Sequence, residues 1–455
     1  KKTNGMPISC FLNYVSDDRE GITGHYKETS FLASLGGGVG GYWGALRSIG
    51  TGTSSGSVSS GVIPFIGVLD RLVLAFAQGR TRRASYAAYL DISHPEILEF
   101  LEIRKPTGGD ANRRSLNLHN AVSIPDAFME IIAACEADPT YDDSWPLVDP
   151  HTNSVVETVS AKELWQKLID LRASTGNGEP FIFWPDAANR ALPEEQKKLG
   201  LRVHQSNLCT EIMLATNSER TAVCCLSSVN LEKFDEWSKD PMFIPDLIRM
   251  LDNVLEYFIN NAPSQLAKAV YSAQRERSVG LGAMGFVSYL QMKGVPYESA
   301  IATSINRQIF RHIKKEAVKA TTQLAEERGA CPDAGTSMKR NMHLLAIAPN
   351  ASTSIFLNVS PSCEPAKANI FTHKTDSGSW KVKNKHLELV LEGLGKNTAE
   401  VWGQIVKDEG SVKNLDFLSD EQKSIFKTFI EYDQRWVIEH AAHRQEYICQ
   451  GQSLN

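Results

Sequence analysis

Short apolar or β-branched runs alternate with segments of helical period along this chain of 455 residues. That alternation restricts it to an α/β architecture with largely parallel strands. The short runs are Ala121-Val122-Ser123-Ile124, Pro180-Phe181-Ile182-Phe183-Trp184 and Leu344-Leu345-Ala346-Ile347-Ala348. Helical spacing of apolar residues recurs at about 95–104, 125–136, 161–174, 243–262, 298–328 and 419–443. A further helix-like segment opens at Ile63-Pro64 and runs through Phe76. Residues 139–160 and 185–203 read as surface excursions, and no internal repeat is present.

Residues 30–62 are dense in glycine and serine, including Gly36-Gly37-Gly38-Val39-Gly40-Gly41 and Gly50-Thr51-Gly52-Thr53-Ser54-Ser55-Gly56-Ser57. Such a run is not helix interior; it reads as loops where backbone must come close to something. Gly36, Gly38 and Gly41 satisfy G-x-G-x-x-G formally. A dinucleotide fingerprint also needs a preceding strand, a following helix and an acid about 20 residues on. Residues 56–61 read Gly-Ser-Val-Ser-Ser-Gly, with no acid, so the dinucleotide reading fails.

Composition narrows the function classes. Hydrophobic content of 42% and charge of 22% are ordinary for a globular protein, and the length invites one large barrel as readily as two domains. A net charge of −5 supplies no general attraction to nucleic acid or anionic membrane. No apolar run approaches the roughly 18 residues that span a bilayer, and Lys1-Lys2-Thr3-Asn4-Gly5 is no signal peptide. The expected location is therefore the cytoplasm. The eight cysteines are scattered and include no C-x-x-C, which argues against a disulfide framework and a structural zinc. Thiols in a reducing compartment are either buried or chemically used.

Three cysteine segments are candidates for chemistry. In Asn207-Leu208-Cys209-Thr210-Glu211 a sulfur is bracketed by an amide and a carboxylate at alternate positions. An extended or tightly turned backbone there directs Asn207, Cys209 and Glu211 to one side. Ser9-Cys10 follows Pro7-Ile8, and Cys224-Cys225 lies in Ala222-Val223-Cys224-Cys225-Leu226. Adjacent cysteines rarely pair with each other, so each of the latter needs a distant partner. The uncharged run Ala348-Pro349-Asn350-Ala351-Ser352-Thr353-Ser354 follows an apolar strand, where backbone N–H groups and hydroxyls hold either a phosphate or only a helix cap. Arg80, Arg82 and Arg83 form a basic loop. His440-x-x-His443 beside Glu439 and Glu446 has metal-helix spacing but no companion motif, and no metal is expected.

Together these segments resemble the catalytic subunit of ribonucleotide reductase, from Pro7 to Asn455. The resemblance rests on Pro7-Ile8-Ser9-Cys10, Gly37-Gly38-Val39-Gly40 through Arg47, Asn117-Leu118-His119-Asn120-Ala121 and Ser206–Glu211. It continues through the Cys224 segment, Pro349–Ser354 with Glu364-Pro365, and Arg444-Gln445 to Gln452-Ser453-Leu454-Asn455. It implies a ten-stranded α/β barrel of two five-stranded parallel halves with a central finger loop, one catalytic domain over residues 1–455. Cys209 would sit at the loop's tip and become the thiyl radical that removes the ribose 3′-hydrogen. Glu211 would take the 3′-hydroxyl proton and Asn207 would orient the sugar. Cys10 and Cys224 match the thiol pair that reduces the 2′ position, and a one-residue register error would exchange Cys224 with Cys225. Ser9, Gly38, Pro349, Asn350, Ala351, Ser352, Thr353 and Ser354, with Asn207 and Glu211, match the substrate site. Asp17, Arg47, Gln78 and Arg82 fall where the family binds an allosteric effector, although the Gln78–Arg83 loop carries more arginine than is usual there.

The resemblance also implies partners. A class I enzyme takes its radical from a separate ferritin-like dimetal small subunit, holds no cofactor in this chain, and is re-reduced by a dithiol protein such as thioredoxin or glutaredoxin. Its substrate is a ribonucleoside diphosphate, its effectors are nucleotides, and it commonly forms a homodimer. Asn384-Lys385-His386-Leu387 and Arg444–Asn455 look more like class I. The alternatives are a class II enzyme using adenosylcobalamin, and a nucleotide-binding regulator that keeps the barrel without catalysis. Two departures stand out: no regulatory ATP cone precedes Cys10, and the sequence stops before the place of the class I tyrosine pair and terminal cysteine pair. Either those pairs lie in a tail beyond Asn455 or the chain belongs to another class, and a compact, phage-like enzyme fits the first choice.

Overall fold

The computed structural model describes residues 6–77, 83–175, 178–375 and 378–454. Seven strands form its main sheet: β1 (Cys10–Tyr14), β2 (Gly38–Tyr42), β3 (Ser85–Asp91), β4 (His119–Ser123), β5 (Phe181–Phe183), β6 (Ala222–Asn230) and β7 (Val279–Met284). Their spatial order is β5-β4-β3-β2-β1-β6-β7. The first five strands are mutually parallel, β7 is parallel to β6, and only the β1–β6 pair is antiparallel. The expectation of largely parallel strands holds on either side of that seam. Isolated parallel bridges from Leu281 to Leu345 and from Ile347 to Gln452 carry the second run beyond β7.

The glycine-rich segment departs from the loop expected of it. Gly38-Val39-Gly40-Gly41-Tyr42 is a fully buried strand, laddered to β1 on one side and β3 on the other. Pairing on both edges supplies the order that glycine's weak strand preference does not. The expectation of close approach holds: a Cβ on Gly40 would lie 2.0 Å from the Ser206 carbonyl oxygen.

Helices α1 (Arg19–Ser34) and α2 (Ile63–Phe76) follow β1 and β2 and pack against one another. Helices α3 (Phe243–Asn261) and α4 (Ala300–Arg328) pack together beside β6 and β7. These four cover the apolar face that holds Phe11, Val39, Val223 and Cys225 in one cluster across the seam. The opposite face carries Cys10, Leu12, Ala222 and Cys224 with Ile212, Leu214 and Ala346. Strand alternation therefore separates a helix-covered face from an inner one.

The period between 419 and 443 does not give one helix. It is split into Asp420–Ile425, a short turn at Phe429–Glu431, and α5 (Gln434–Gln445). Ser419, Thr428 and Asp433 each cap a new start, the first two as capping boxes, and local capping overrides the period. The 344–348 run makes only bridges, the 95–104 segment is one turn (Ile97–Leu101), and the 139–160 excursion contains the hairpin Ser144–Val148 with Val155–Ser160. Among the described residues no helix is long and apolar enough to cross a membrane.

Candidate active site

The antiparallel seam sets the first part of the site. Cys10 opposes Cys224 directly, Phe11 opposes Val223 and Leu12 opposes Ala222. Directly opposed residues of an antiparallel pair have Cα atoms about 4.5–5.5 Å apart, inside the roughly 4.4–6.8 Å that a disulfide spans. Both are thiols here, Cys224 buried and Cys10 partly exposed. Burial, with Cys10 and Cys225 nearby, raises the Cys224 thiol well above its ordinary range, so it is held neutral. Cys225, one residue on, faces the helix-covered cluster instead.

The second part is the loop 205–213, laid over the inner face of β1–β3. The Gln205 amide donates to the Asn13 carbonyl at 2.9 Å and is held from behind by the Thr216 hydroxyl at 2.9 Å. The Tyr89 hydroxyl of β3 donates to the Asn207 carbonyl at 2.6 Å. Leu208 crosses Gly38, the strand partner of Cys10, so closely that a Cβ there would meet its Cδ2 at 3.2 Å. The loop turns tightly at its tip. Asn207 Oδ1 accepts the Glu211 and Ile212 N–H groups at 3.1 and 3.2 Å, and Thr210 takes φ of +65°. A β-branched residue there is strained, which marks the turn as imposed by the surrounding contacts.

That turn leaves two buried polar atoms without hydrogen-bond partners: Asn207 Nδ2 and Glu211 Oε2. An amide donor and a carboxylate acceptor thus flank Cys209, which is partly exposed. Burial pushes the Glu211 carboxyl up to about 7, against the pull of its own backbone N–H. Unsatisfied buried groups beside a thiol are the donor and acceptor set that a polar ligand completes.

The C-terminal segment braces the loop from the far side. The Gly451 N–H donates to the Glu211 carbonyl at 2.8 Å, and the Met213 N–H reaches Gln450 Oε1 at 3.4 Å. Gln450 and Ile347 N–H groups meanwhile bond the Leu345 and Gly451 carbonyls.

The remaining predicted residues divide. Ser9 is partly exposed, and its carbonyl accepts the Gly38 N–H at 2.7 Å. Pro349 precedes Asn350, whose φ of +55° starts the helix Ala351–Leu357. The Asn350 amide fixes that turn through the Ala348 and Ala283 carbonyls. Ser352 and Thr353 are exposed, whereas Ser354 is buried and its hydroxyl turns back to the Ala351 carbonyl. Asp17 and Arg47 form an ion pair at 2.9 Å, which His151 joins at 3.1 Å. They lie past the end of β1 remote from Cys10, about 13 Å along its rise. Gln78, Arg80 and Arg82 lie outside the described residues. His440 is buried, with Nε2 on the Tyr297 carbonyl at 2.9 Å, and no metal-ligand cluster occurs among the described residues. Sequence reasoning missed Tyr89, Gln205 and Gln450, whose types carry no signal without the loop they hold.

The chain is similar to known proteins. The family model described as "Ribonucleotide reductase, barrel domain" matches residues 8–338 and 334–455. A protein of Frog virus 3 (isolate Goorha), provisionally named ribonucleoside-diphosphate reductase large subunit, is 46% identical over 99% of this chain and 78% of its own length. The ribonucleoside-diphosphate reductase large subunit of Invertebrate iridescent virus 3 is 44% identical over 99% of this chain and 78% of its own. The solved class Id ribonucleotide reductase alpha subunit of Actinobacillus ureae superposes with a TM-score of 0.84 at 34% identity, covering 98% of this chain and 77% of that one. The chain belongs to the ribonucleotide reductase large-subunit family and matches its barrel domain.

Proposed function

We infer that this chain reduces ribonucleoside diphosphates to 2′-deoxyribonucleotides by thiyl-radical chemistry. The observation that carries the reading is the placement of an opposed thiol pair, Cys10 and Cys224, on the same sheet face as the Asn207–Glu211 turn. In this reading Cys209, as a thiyl, removes the ribose 3′-hydrogen. Glu211 accepts the 3′-hydroxyl proton through its unpartnered oxygen, and the orphaned Asn207 Nδ2 donates to the sugar. The 2′-hydroxyl leaves as water with a proton from the thiol pair. The second thiol hydrogen goes to the 2′ carbon as Cys10 and Cys224 supply two electrons and become a disulfide; Glu211 returns the 3′-hydroxyl proton and Cys209 returns a hydrogen atom to the 3′ carbon. A raised Cys224 thiol favours this order, because a neutral thiol delivers a proton where a thiolate does not.

The finer parts of the reading are these. Residues 1–455 constitute one catalytic domain, with the two parallel runs closing as ten strands around the 205–213 finger loop. Ser9, Gly38 and the Pro349–Ser354 turn hold the substrate phosphates. Asp17 and Arg47, with Gln78 and Arg82, belong to an effector site at a homodimer face. The radical comes from a ferritin-like dimetal small subunit, a thioredoxin- or glutaredoxin-type dithiol restores the thiol pair, and the protein works in the cytoplasm.

The test is nucleotide reduction by the purified chain, supplied in parallel with a class I small subunit or with adenosylcobalamin. Product with the small subunit alone supports the reading. Product with adenosylcobalamin alone contradicts the class, and tight nucleotide binding without product in either arm points to a regulator.

A further inference from the structure

Cys449 takes no part in the chemistry above, yet its surroundings are built. Its Sγ accepts the N–H groups of Leu344 at 3.1 Å and Leu345 at 3.2 Å. Beside them His343 is buried, and its Nε2 is joined to Gln196 Oε1 at 3.1 Å. The Gln196 amide is oriented in turn, since its Nε2 reaches Glu276 Oε2 at 3.3 Å. Glu276 itself is fixed by the Ser272 and Ser278 hydroxyls at 3.0 and 2.9 Å. An amide that gives its N–H to a carboxylate presents its oxygen to the imidazole. That oxygen requires the proton on His343 Nε2. Nδ1 is buried without a hydrogen-bond partner and so can take the proton of the thiol, which in its neutral form donates to the Leu345 carbonyl at 3.6 Å.

We propose that Cys449 is a reactive thiolate, a modification site that takes soft electrophiles and above all the disulfides of small thiols. Two N–H donors on the sulfur and an acceptor relay behind it are the arrangement that stabilises a thiolate. The titratable groups facing it are His343, Lys314 of α4 and, behind Gln196, Glu276. Burial pushes this thiol up, but His343, Lys314 and the Leu344 N–H outweigh it and bring it down to about 6. Cys225 and Cys331, by contrast, are pushed up to about 12 and about 11 by burial. Cys449 as a residue is partly exposed.

In the exchange step, Sγ attacks one sulfur of the small disulfide and a new S–S bond forms to Cys449. The second thiol leaves as thiolate and takes the proton held at His343. The site adjoins the finger loop, because Gln450 and Gly451 brace Met213 and Glu211. Modification therefore loosens the placement of Glu211; this consequence rests on the function proposed above, whereas the reactivity does not.

Site-resolved alkylation with iodoacetamide between about pH 5 and pH 9, read by peptide mass, tests the reactivity on the unmodified chain. The expected rate at Cys449 titrates with a midpoint near 6, and His343→Gln moves that midpoint up by more than about one unit. A Cys449 rate that climbs only above about pH 8 would overturn the proposal. So would a midpoint unmoved in a His343→Gln variant that retains its melting transition. Oxidised glutathione is expected to leave a mixed disulfide on Cys449 that dithiothreitol removes, with nucleotide reduction lost and regained in step. A modified protein that keeps full turnover refutes the link to the loop.

Discussion

Cys10 and Cys224 face one another across the antiparallel seam between β1 and β6, while Cys225 points into the helix-covered core. This relationship separates two adjacent cysteines that the sequence alone leaves interchangeable. Turnover without an external reductant is expected to yield a Cys10–Cys224 disulfide in peptide maps, and Cys224→Ser to abolish multiple turnover. Cys225→Ser should keep the redox step and lower stability by about 1–3 kcal/mol, the cost of a hydroxyl in an apolar cluster. A disulfide to Cys225 instead would reverse the assignment.

Glu211 gives a pH signature. Its carboxyl is raised from 4.5 to about 7 by burial, so the fold favours the neutral form. The corresponding stability is full below pH 4.5 and is lost as pH rises through about 7, a change of about 3 kcal/mol. As a proton acceptor Glu211 acts only when ionised, so kcat/KM should rise through about pH 7 while stability falls. Glu211→Gln is expected to flatten this part of the stability profile and to lower turnover by about 10²- to 10⁴-fold. Melting curves and rates across the same pH series check both.

Gly40 is a steric test of the finger loop. A Cβ there would sit 2.0 Å from the Ser206 oxygen and 2.8 Å from Asn207 Cα, both backbone atoms that cannot rotate away. Gly40→Ala should lower stability by about 1–3 kcal/mol, as overpacking does, and displace Asn207 and Cys209 from the sheet. Turnover should fall by about 10²-fold. Gly52→Ala, where a Cβ meets nothing within 4 Å, is the control expected to leave both unchanged.

Much of this was legible in the sequence, for identifiable reasons. Long, strongly periodic helices such as Ala161–Thr175 and Ala300–Arg328 fall where apolar spacing places them, because one face alone sets their burial. The buried strand Gly38–Tyr42 was hidden because its order comes from two neighbouring strands and not from its own residues. The break-up of residues 419–443 turns on three caps that an apolar period overlooks. In the site, Cys209, Glu211 and Asn207 stood out by local spacing. Gln205, Tyr89 and Gln450 did not, since each acts on backbone atoms distant in sequence. The opposition of Cys10 and Cys224 is likewise a tertiary fact, separated by most of the first parallel run.

The central claim is that Cys209 is the hydrogen-abstracting thiol, and one comparison tests it most directly. The chain and its Cys209→Ser variant are each combined with a class I small subunit, a ribonucleoside diphosphate and excess dithiol, and deoxyribonucleotide is measured alongside substrate affinity. The account predicts that the variant forms no product yet binds substrate within about twofold of the unaltered chain, because a single sulfur-to-oxygen change leaves the loop contacts in place. Retained turnover by Cys209→Ser would contradict it.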